Sequence, residues 1–229
     1  MFHYDLNPLK DSIKEIIIQN ITPEAWNWIE TKIASHQTNI DFNGTFAAIP
    51  RRTGKNLLLI SNAQKELLSN CRTGFQMENW SADRLTRVWL LLHLDAADQE
   101  KYYNSIENLF LAAEMNELVA LYSSLPLLAY PEMWIKRCAE GNRSNIGDVL
   151  AAIMYNNPYP SENLPQPAWN QLVLKAFFTD KQIDRITGLQ ERANKELANT
   201  LTDYARERQS AGRTIDPALW LLADQSSLK

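Results

Sequence analysis

The sequence has few of the residues on which disulfides, metal sites and nucleophilic catalysis depend. Its 229 residues include only two cysteines and three histidines. Cys71 and Cys138 form no CxxC pair, and no HExxH spacing occurs, so we expect free thiols and neither a metal nor another cofactor. No GxSxG nucleophile elbow occurs either, and the sequence gives no support to nucleophilic catalysis.

A long apolar run and an excess of positive charge are also missing. The most apolar run, residues 88–94, is interrupted by His93 and is much shorter than the roughly 20 residues of a spanning helix. The first residues lack the basic start and apolar stretch of a secretory signal. With 23 Lys and Arg against 27 Asp and Glu, the net charge is −4, which argues against nucleic acid. We therefore expect a cytoplasmic protein without a transmembrane segment or a nucleic-acid partner.

Apolar residues recur at helical spacing along most of the chain, and the seven glycines lie mainly at segment boundaries. This pattern predicts an all-α protein with more than about 60% helix and no sheet beyond a short hairpin near Leu57. About ten helices with short connections favour antiparallel hairpins, stacked as an α-solenoid-like array or as an irregular helical bundle. We expect a single all-helical domain over residues 1–229.

Turn-rich composition predicts interruptions at two places. Between about Ser35 and Ser61, the sequences DFNG and PRRTGK indicate loops, and Gly54-Lys55 fails to match a phosphate-binding P-loop. Gly141 is expected to end a helix that starts near Glu132.

Polar side chains concentrate between residues 137 and 194, next to loops that proline restricts. Buried asparagine or lysine needs hydrogen-bond partners, so this set predicts either a structural network that fixes loops, which we favour, or a binding pocket. The candidate residues are Arg143, Asn145, Asn157, Tyr159, Trp169, Asn170, Lys175, Arg192 and Asn194. We expect Asn157, Trp169 and Asn170 to lie close together. In contrast, the charges between Asp203 and Arg208 predict a solvated helix surface.

Several segments in fixed order resemble the EboA family. They are Leu125–Pro131, Arg137–Gly141 running into Arg143–Asn145, Asn157–Pro160, Trp169–Ala176, Gly188–Asn194 and Ala205–Arg208. The resemblance covers roughly residues 115–221 and departs from the family pattern at residues 209–211, before Gly212-Arg213.

This resemblance implies a cytoplasmic protein encoded beside several enzymes of one pathway. They are a UbiA-like membrane prenyltransferase, a sugar-phosphate-isomerase-like TIM barrel, a metal-dependent hydrolase and a dehydroquinate-synthase-like enzyme. Such a cluster resembles machinery that makes or moves a secondary-metabolite precursor toward the cell envelope. The resemblance assigns no catalytic residue.

The leading hypothesis is therefore a non-enzymatic binding or adaptor protein of such a cluster. Its expected partners are other proteins of the pathway or a small metabolite. The alternative is an enzyme that acts on a small polar or phosphorylated metabolite, with a pocket assembled from the C-terminal half. Convergence of the candidate side chains on one solvent-reachable concavity would support the pocket.

Overall fold

The structure is a computed structural model that describes residues 2, 4–35 and 39–227, except for the side chains of residues 39 and 40. The chain is 71% helical, so the predicted all-α class and helix content are confirmed. No sheet forms among the described residues, where isolated bridges pair Leu57 with Ser81 and Tyr155 with Ile186. Thirteen α-helices are described, compared with the predicted ten or so.

The chain divides into two compact units, Met1–Trp134 and Ile135–Lys229. The prediction of one domain, and of a solenoid-like or irregular arrangement of hairpins over the whole chain, stays a prediction. The first unit also contains 3-10 helices at Leu125–Leu127 and Pro131–Trp134. Its α-helices are α1 (Leu6–Asn20), α2 (Pro23–Ser35), α3 (Asn39–Thr53), α4 (Asn62–Cys71), α5 (Ala82–Leu91), α6 (Gln99–Ala112) and α7 (Met115–Ser124).

Helix α5 lies at the centre of the first unit, where it contacts α1, α3 and α7. Its residues are buried on all sides except at Arg84, because three helices surround it. The buried residues include an ion pair, in which Arg87 Nη1 donates to Asp83 Oδ2 at 2.8 Å. Both side chains are almost fully buried, so each charge depends on the other to offset the loss of its hydration.

The prediction of a loop before residue 53 is wrong, because residues 39–53 form helix α3. Phe42, Phe46 and Ile49 are buried at helical spacing, which is the signal that the DFNG and PRRTGK sequences obscured. Pro50 lies in the last turn and cannot donate to the carbonyl of Phe46, four residues before it. Arg87 Nε donates to that carbonyl instead, at 3.1 Å. A side chain of α5 thus compensates for the proline, and the helix continues.

The described residues of the second unit form six α-helices and a 3-10 helix at Ile183–Arg185. The helix expected to end before Gly141 instead runs through that glycine, which is buried, to Asn142. The α-helices are α8 (Ile135–Asn142), α9 (Gly147–Met154), α10 (Tyr159–Asn163), α11 (Gln166–Phe178), α12 (Lys195–Ser210) and α13 (Pro217–Ser227).

Helices α11 and α12 pack against each other and position four of the nine candidate residues, Trp169, Asn170, Lys175 and Asn194. The face of α11 that carries Trp169, Leu172 and Val173 is buried, as is the face of α12 that carries Leu197 and Leu201. Asn170 is also buried, and the remaining faces carry the charged side chains described below. Among the described helices, none has both the length and the apolar character needed to cross a bilayer.

Candidate functional site

Four polar side chains join the start of α11 to the start of α12 through continuous hydrogen bonds. Asn194 Nδ2 donates to Asn170 Oδ1 at 3.0 Å, and Asn170 Nδ2 donates to Asn194 Oδ1 at 3.4 Å. Gln166 Nε2 also donates to Asn170 Oδ1, at 2.9 Å. Arg192 completes the set, because its Nη2 donates to Gln166 Oε1 at 3.0 Å. We call Gln166, Asn170, Arg192 and Asn194 the polar network.

Asn194 also determines where α12 begins. Its Oδ1 accepts a hydrogen bond from the backbone N–H of Leu197 at 2.9 Å, which makes it the N-cap residue of the helix. Its Nδ2 donates to the carbonyl of Arg192 at 3.0 Å as well. A single side-chain amide therefore caps α12 and connects it to α11.

Arg192 ties the loop before α11 to the polar network. Its Nη1 donates to the carbonyls of Ser161 at 3.0 Å and Leu164 at 2.7 Å. The guanidinium also lies 5.2 Å from the ring centre of buried Trp169, within the range of a cation–π contact. Partial burial lowers the pKa of Arg192, which nevertheless remains charged because arginine titrates far above neutrality. Its described hydrogen-bond acceptors are neutral, so its charge is stabilised without being neutralised.

Gly188 allows the segment before α12 to approach α10 closely. Its φ of +79° lies in the left-handed region, and a Cβ at this position would be 2.4 Å from the Cβ of Ser161. Only glycine fits both the conformation and the contact. The approach places Arg192 within reach of the carbonyls at the end of α10.

Asn157 and Tyr159 stabilise the turn between α9 and α10. Asn157 Nδ2 donates to the carbonyl of Ala152 at 3.0 Å, and the backbone N–H of Tyr159 donates to Asn157 Oδ1 at 3.0 Å. Both side chains are buried. These bonds connect the end of one helix to the start of the next, so they order the turn. The expected proximity of Asn157, Trp169 and Asn170 stays a prediction.

The three remaining candidates lie nearer the surface. Lys175 Nζ donates to Asn145 Oδ1 at 3.3 Å, and the Asn145 side chain is exposed. Arg143 is exposed too, with its backbone N–H donating to the carbonyl of Glu140 at 2.9 Å. Of the nine candidates, Lys175 is the one that lines the cavity described next.

A cavity of about 360 Å³ lies between the exposed sides of α11 and α12. Each helix contributes residues at positions i, i+3, i+4 and i+7, the spacing of one helix face. Those of α11 are Gln171, Leu174, Lys175 and Phe178, and those of α12 are Tyr204, Glu207, Arg208 and its C-cap residue, Ala211. Arg213 completes the lining from the turn that follows α12. The volume falls in the usual range of small-molecule sites, roughly 300 to 1,000 Å³.

The charges between Asp203 and Arg208 were predicted to form a solvated helix surface; Glu207 is exposed as predicted, whereas Arg208 departs from the prediction in part. Arg208 is half-buried, its Nε donates to the carbonyl of Thr214 at 2.9 Å and its Nη1 donates to Tyr204 Oη at 3.1 Å. For Asp203 and Arg206 the same prediction is confirmed, since their side chains are 77% and 72% exposed and lie 3.7 Å apart. The matched i, i+3, i+4, i+7 sets on α11 and α12 were the signal in the sequence that could have revealed the cavity.

Neither cysteine is among the residues that line this cavity. Cys138 is fully buried and Cys71 is half-buried, and desolvation raises the pKa of each thiol, which reduces the nucleophilic thiolate at neutral pH. Within the described part of the chain, no group of three or more His, Cys, Asp or Glu residues is placed to hold a metal ion. The cavity itself combines polar donors with apolar and aromatic surface, an arrangement suited to binding a small molecule.

Comparison with known proteins identifies a family. No curated protein and no solved structure matches the chain. The profile of a family described as metabolite traffic protein EboA matches residues 9–224, well beyond the segments that carried the resemblance in the sequence. Since the match spans nearly the whole chain, the protein belongs to the EboA family of metabolite traffic proteins.

Proposed function

We propose that this protein is a non-enzymatic binding protein that carries a small metabolite in the cavity between α11 and α12. The cavity is the observation that carries the proposal, because its volume of about 360 Å³ suits a small molecule. The family description as a metabolite traffic protein supports the same role. In this proposal the protein is cytoplasmic, and its cargo is a secondary-metabolite precursor passed between proteins of an Ebo-type gene cluster.

The polar network supports binding over catalysis. Asn170 and Asn194 bond to each other, and Arg192 bonds to carbonyls of the protein itself, so these groups are engaged within the fold. A network of this kind keeps α11 and α12 in a fixed relation, which is what the cavity between their exposed sides requires. We therefore assign the network a supporting role and place the cargo beside it.

Blocking the cavity tests this function. The variant Ala211→Trp places a large side chain on the cavity wall, whereas Gln209→Trp adds the same group at an exposed position of α12 outside the lining. Each protein would be purified from cells that contain the whole pathway, and small molecules released on denaturation would be identified by mass spectrometry. We expect one small molecule per chain in the wild type and in Gln209→Trp, and a large loss in Ala211→Trp.

Two results would contradict the proposal. Equal retention by Ala211→Trp and Gln209→Trp would place the cargo elsewhere or nowhere. Conversion of the released molecule into a product by the purified wild type would instead establish the enzymatic alternative.

A further inference from the structure

The cavity between α11 and α12 carries an excess of positive charge. Its lining includes three cationic residues, Lys175, Arg208 and Arg213, and one carboxylate, Glu207. The chain as a whole has a net charge of −4, so this local excess runs against its composition. Positive charge collected in a concave site attracts anions, because low-dielectric walls concentrate the field there.

These three cations retain hydrogen-bonding capacity. Arg208 is held by the carbonyl of Thr214 and the hydroxyl of Tyr204, which together use two of its five N–H donors. Lys175 makes one contact, with Asn145 at 3.3 Å. Among the described residues, none of the three cations forms an ion pair with a carboxylate. An anion in the cavity would therefore meet N–H donors that the described hydrogen bonds leave unused.

Apart from Gln171 and the hydroxyl of Tyr204, the rest of the lining is apolar. Leu174 and Phe178 of α11, Tyr204 of α12 and Ala211, which directly follows α12, supply its apolar and aromatic surface. Phe178 is 62% exposed, although an aromatic ring of this size gains considerably from burial. A ligand with only an anionic group would leave this surface in water, whereas a ligand with an apolar part would cover it.

We infer that the cavity binds an amphipathic anion, a carboxylate or phosphate attached to an apolar body. Arg208, Arg213 and Lys175 bind the anionic group, while Leu174 and Phe178 contact the apolar body. The inference rests on the proposed function, because it specifies the ligand class of the same cavity. It commits to a soluble small molecule, as opposed to the surface of an anionic membrane.

Binding of defined amphiphiles to the purified full-length protein tests the ligand class. Dodecyl phosphate, dodecanoate, dodecanol and dodecyltrimethylammonium, each below its micelle concentration, would be titrated by calorimetry. We expect both anions to bind more tightly than the alcohol or the cation by about tenfold or more, since a charge-assisted hydrogen bond is worth at least that factor. The ratio between the two anions distinguishes a phosphate from a carboxylate site.

Charge variants locate the anionic group. Arg213→Gln removes an exposed cation of the lining, and Arg206→Gln removes an exposed cation of α12 outside it. We expect Arg213→Gln to weaken dodecyl phosphate by about tenfold and Arg206→Gln to change its affinity by less than about twofold. Arg208→Gln should weaken binding further, but Arg213→Gln is decisive because no described side-chain hydrogen bond of Arg213 supports the fold.

The outcomes separate this inference from the proposed function. Equal binding of the alcohol and the anions, or equal effects of Arg213→Gln and Arg206→Gln, would overturn the anionic ligand class. Preferential binding to phosphatidylglycerol vesicles over dodecyl phosphate would overturn it in favour of a membrane surface. Loss of native cargo from Ala211→Trp would still support the proposed function in each of these cases.

Discussion

Each unit of the chain contains an arginine that is at least partly buried, but the two guanidinium groups bond to different kinds of acceptor. Arg87 in the first unit is 3% exposed, donates to Asp83 and lies 3.7 Å from Glu117. Arg192 in the second unit is half-buried and donates to two backbone carbonyls and to Gln166. Carboxylates thus neutralise the charge of the first unit's core, whereas neutral dipoles hold the second arginine and leave its charge in place.

This difference follows from what each arginine connects. Burial lowers the pKa of Arg87, and the carboxylates of Asp83 and Glu117 oppose that shift, so the ion pairs compensate for desolvation inside a helical core. Arg192 instead links loop carbonyls to the start of a helix near the surface, where water supplies part of the solvation. The first unit is therefore organised around a buried helix, and the second around bonds between loops and helix ends.

The largest expected effect is that of Arg87→Met. The substitution leaves Asp83 without its cationic partner, with only the hydroxyl of Ser81 among the described side chains still donating to the carboxylate, and it leaves the carbonyl of Phe46 without a donor. Removing one partner of a buried ion pair typically costs about 3 to 5 kcal/mol. We expect a loss of that size in the free energy of unfolding, measured by urea denaturation of the full chain. Arg51→Met, at an exposed position of α3, should change it by less than about 0.5 kcal/mol.

The counterpart in the second unit, Arg192→Met, should be milder. It leaves carbonyl acceptors unbonded but strands no charge, so we expect about 1 to 3 kcal/mol in the same assay. A loss equal to or larger than that of Arg87→Met would break the comparison between the two units. Combining Asp83→Asn with Arg87→Met should recover part of the first loss, which would identify the stranded carboxylate as its main cause.

A comparable effect is expected for Asn170→Ala, which tests whether the polar network is structural. The substitution removes partners from Gln166 and Asn194, so we expect a loss of about 1 to 3 kcal/mol with bound cargo retained. Asn199→Ala, at an exposed position of α12, is the matched control. Unchanged or increased stability together with lost cargo would show that Asn170 contributes to ligand binding. Residues kept for function often do not stabilise the fold.

The sequence predicted the helices of this protein well, because helical periodicity and capping residues are local signals. Ser61, for example, caps α4 through a reciprocal pair with Gln64, and Thr22 precedes Pro23 at the start of α2. Helix α3 was missed because the hydrogen bond that compensates for Pro50 comes from Arg87, which lies 41 residues away from Phe46. Residues typical of turns therefore predict a loop when the contact that allows a helix is made by a residue far away in the sequence.

The site was predictable to a smaller extent. The sequence indicated that Asn170 and Asn194 required partners, but their contact with each other spans 24 residues. It also indicated Lys175 but missed Arg208. The sequence of α12 does not show which of its charged side chains lie in solvent and which border the cavity. Arg206 remains in solvent, whereas Arg208 turns toward Tyr204 two positions later. Which face of a charged helix borders a cavity depends on the neighbouring helix.

The smallest expected effect, from Gly44→Ala, tests the corrected assignment of α3 in the first unit. Gly44 is exposed inside the helix, and a Cβ there would meet no atom within 4 Å. Alanine should therefore stabilise the helix by about 0.5 to 1 kcal/mol, since glycine is costly in a helix interior. Gly54 follows the same helix with φ +72°, so Gly54→Ala should destabilise the protein by about 1 to 2 kcal/mol. Opposite signs in urea denaturation would support a helix that ends at Thr53, and no gain from Gly44→Ala would favour the loop that the sequence first indicated.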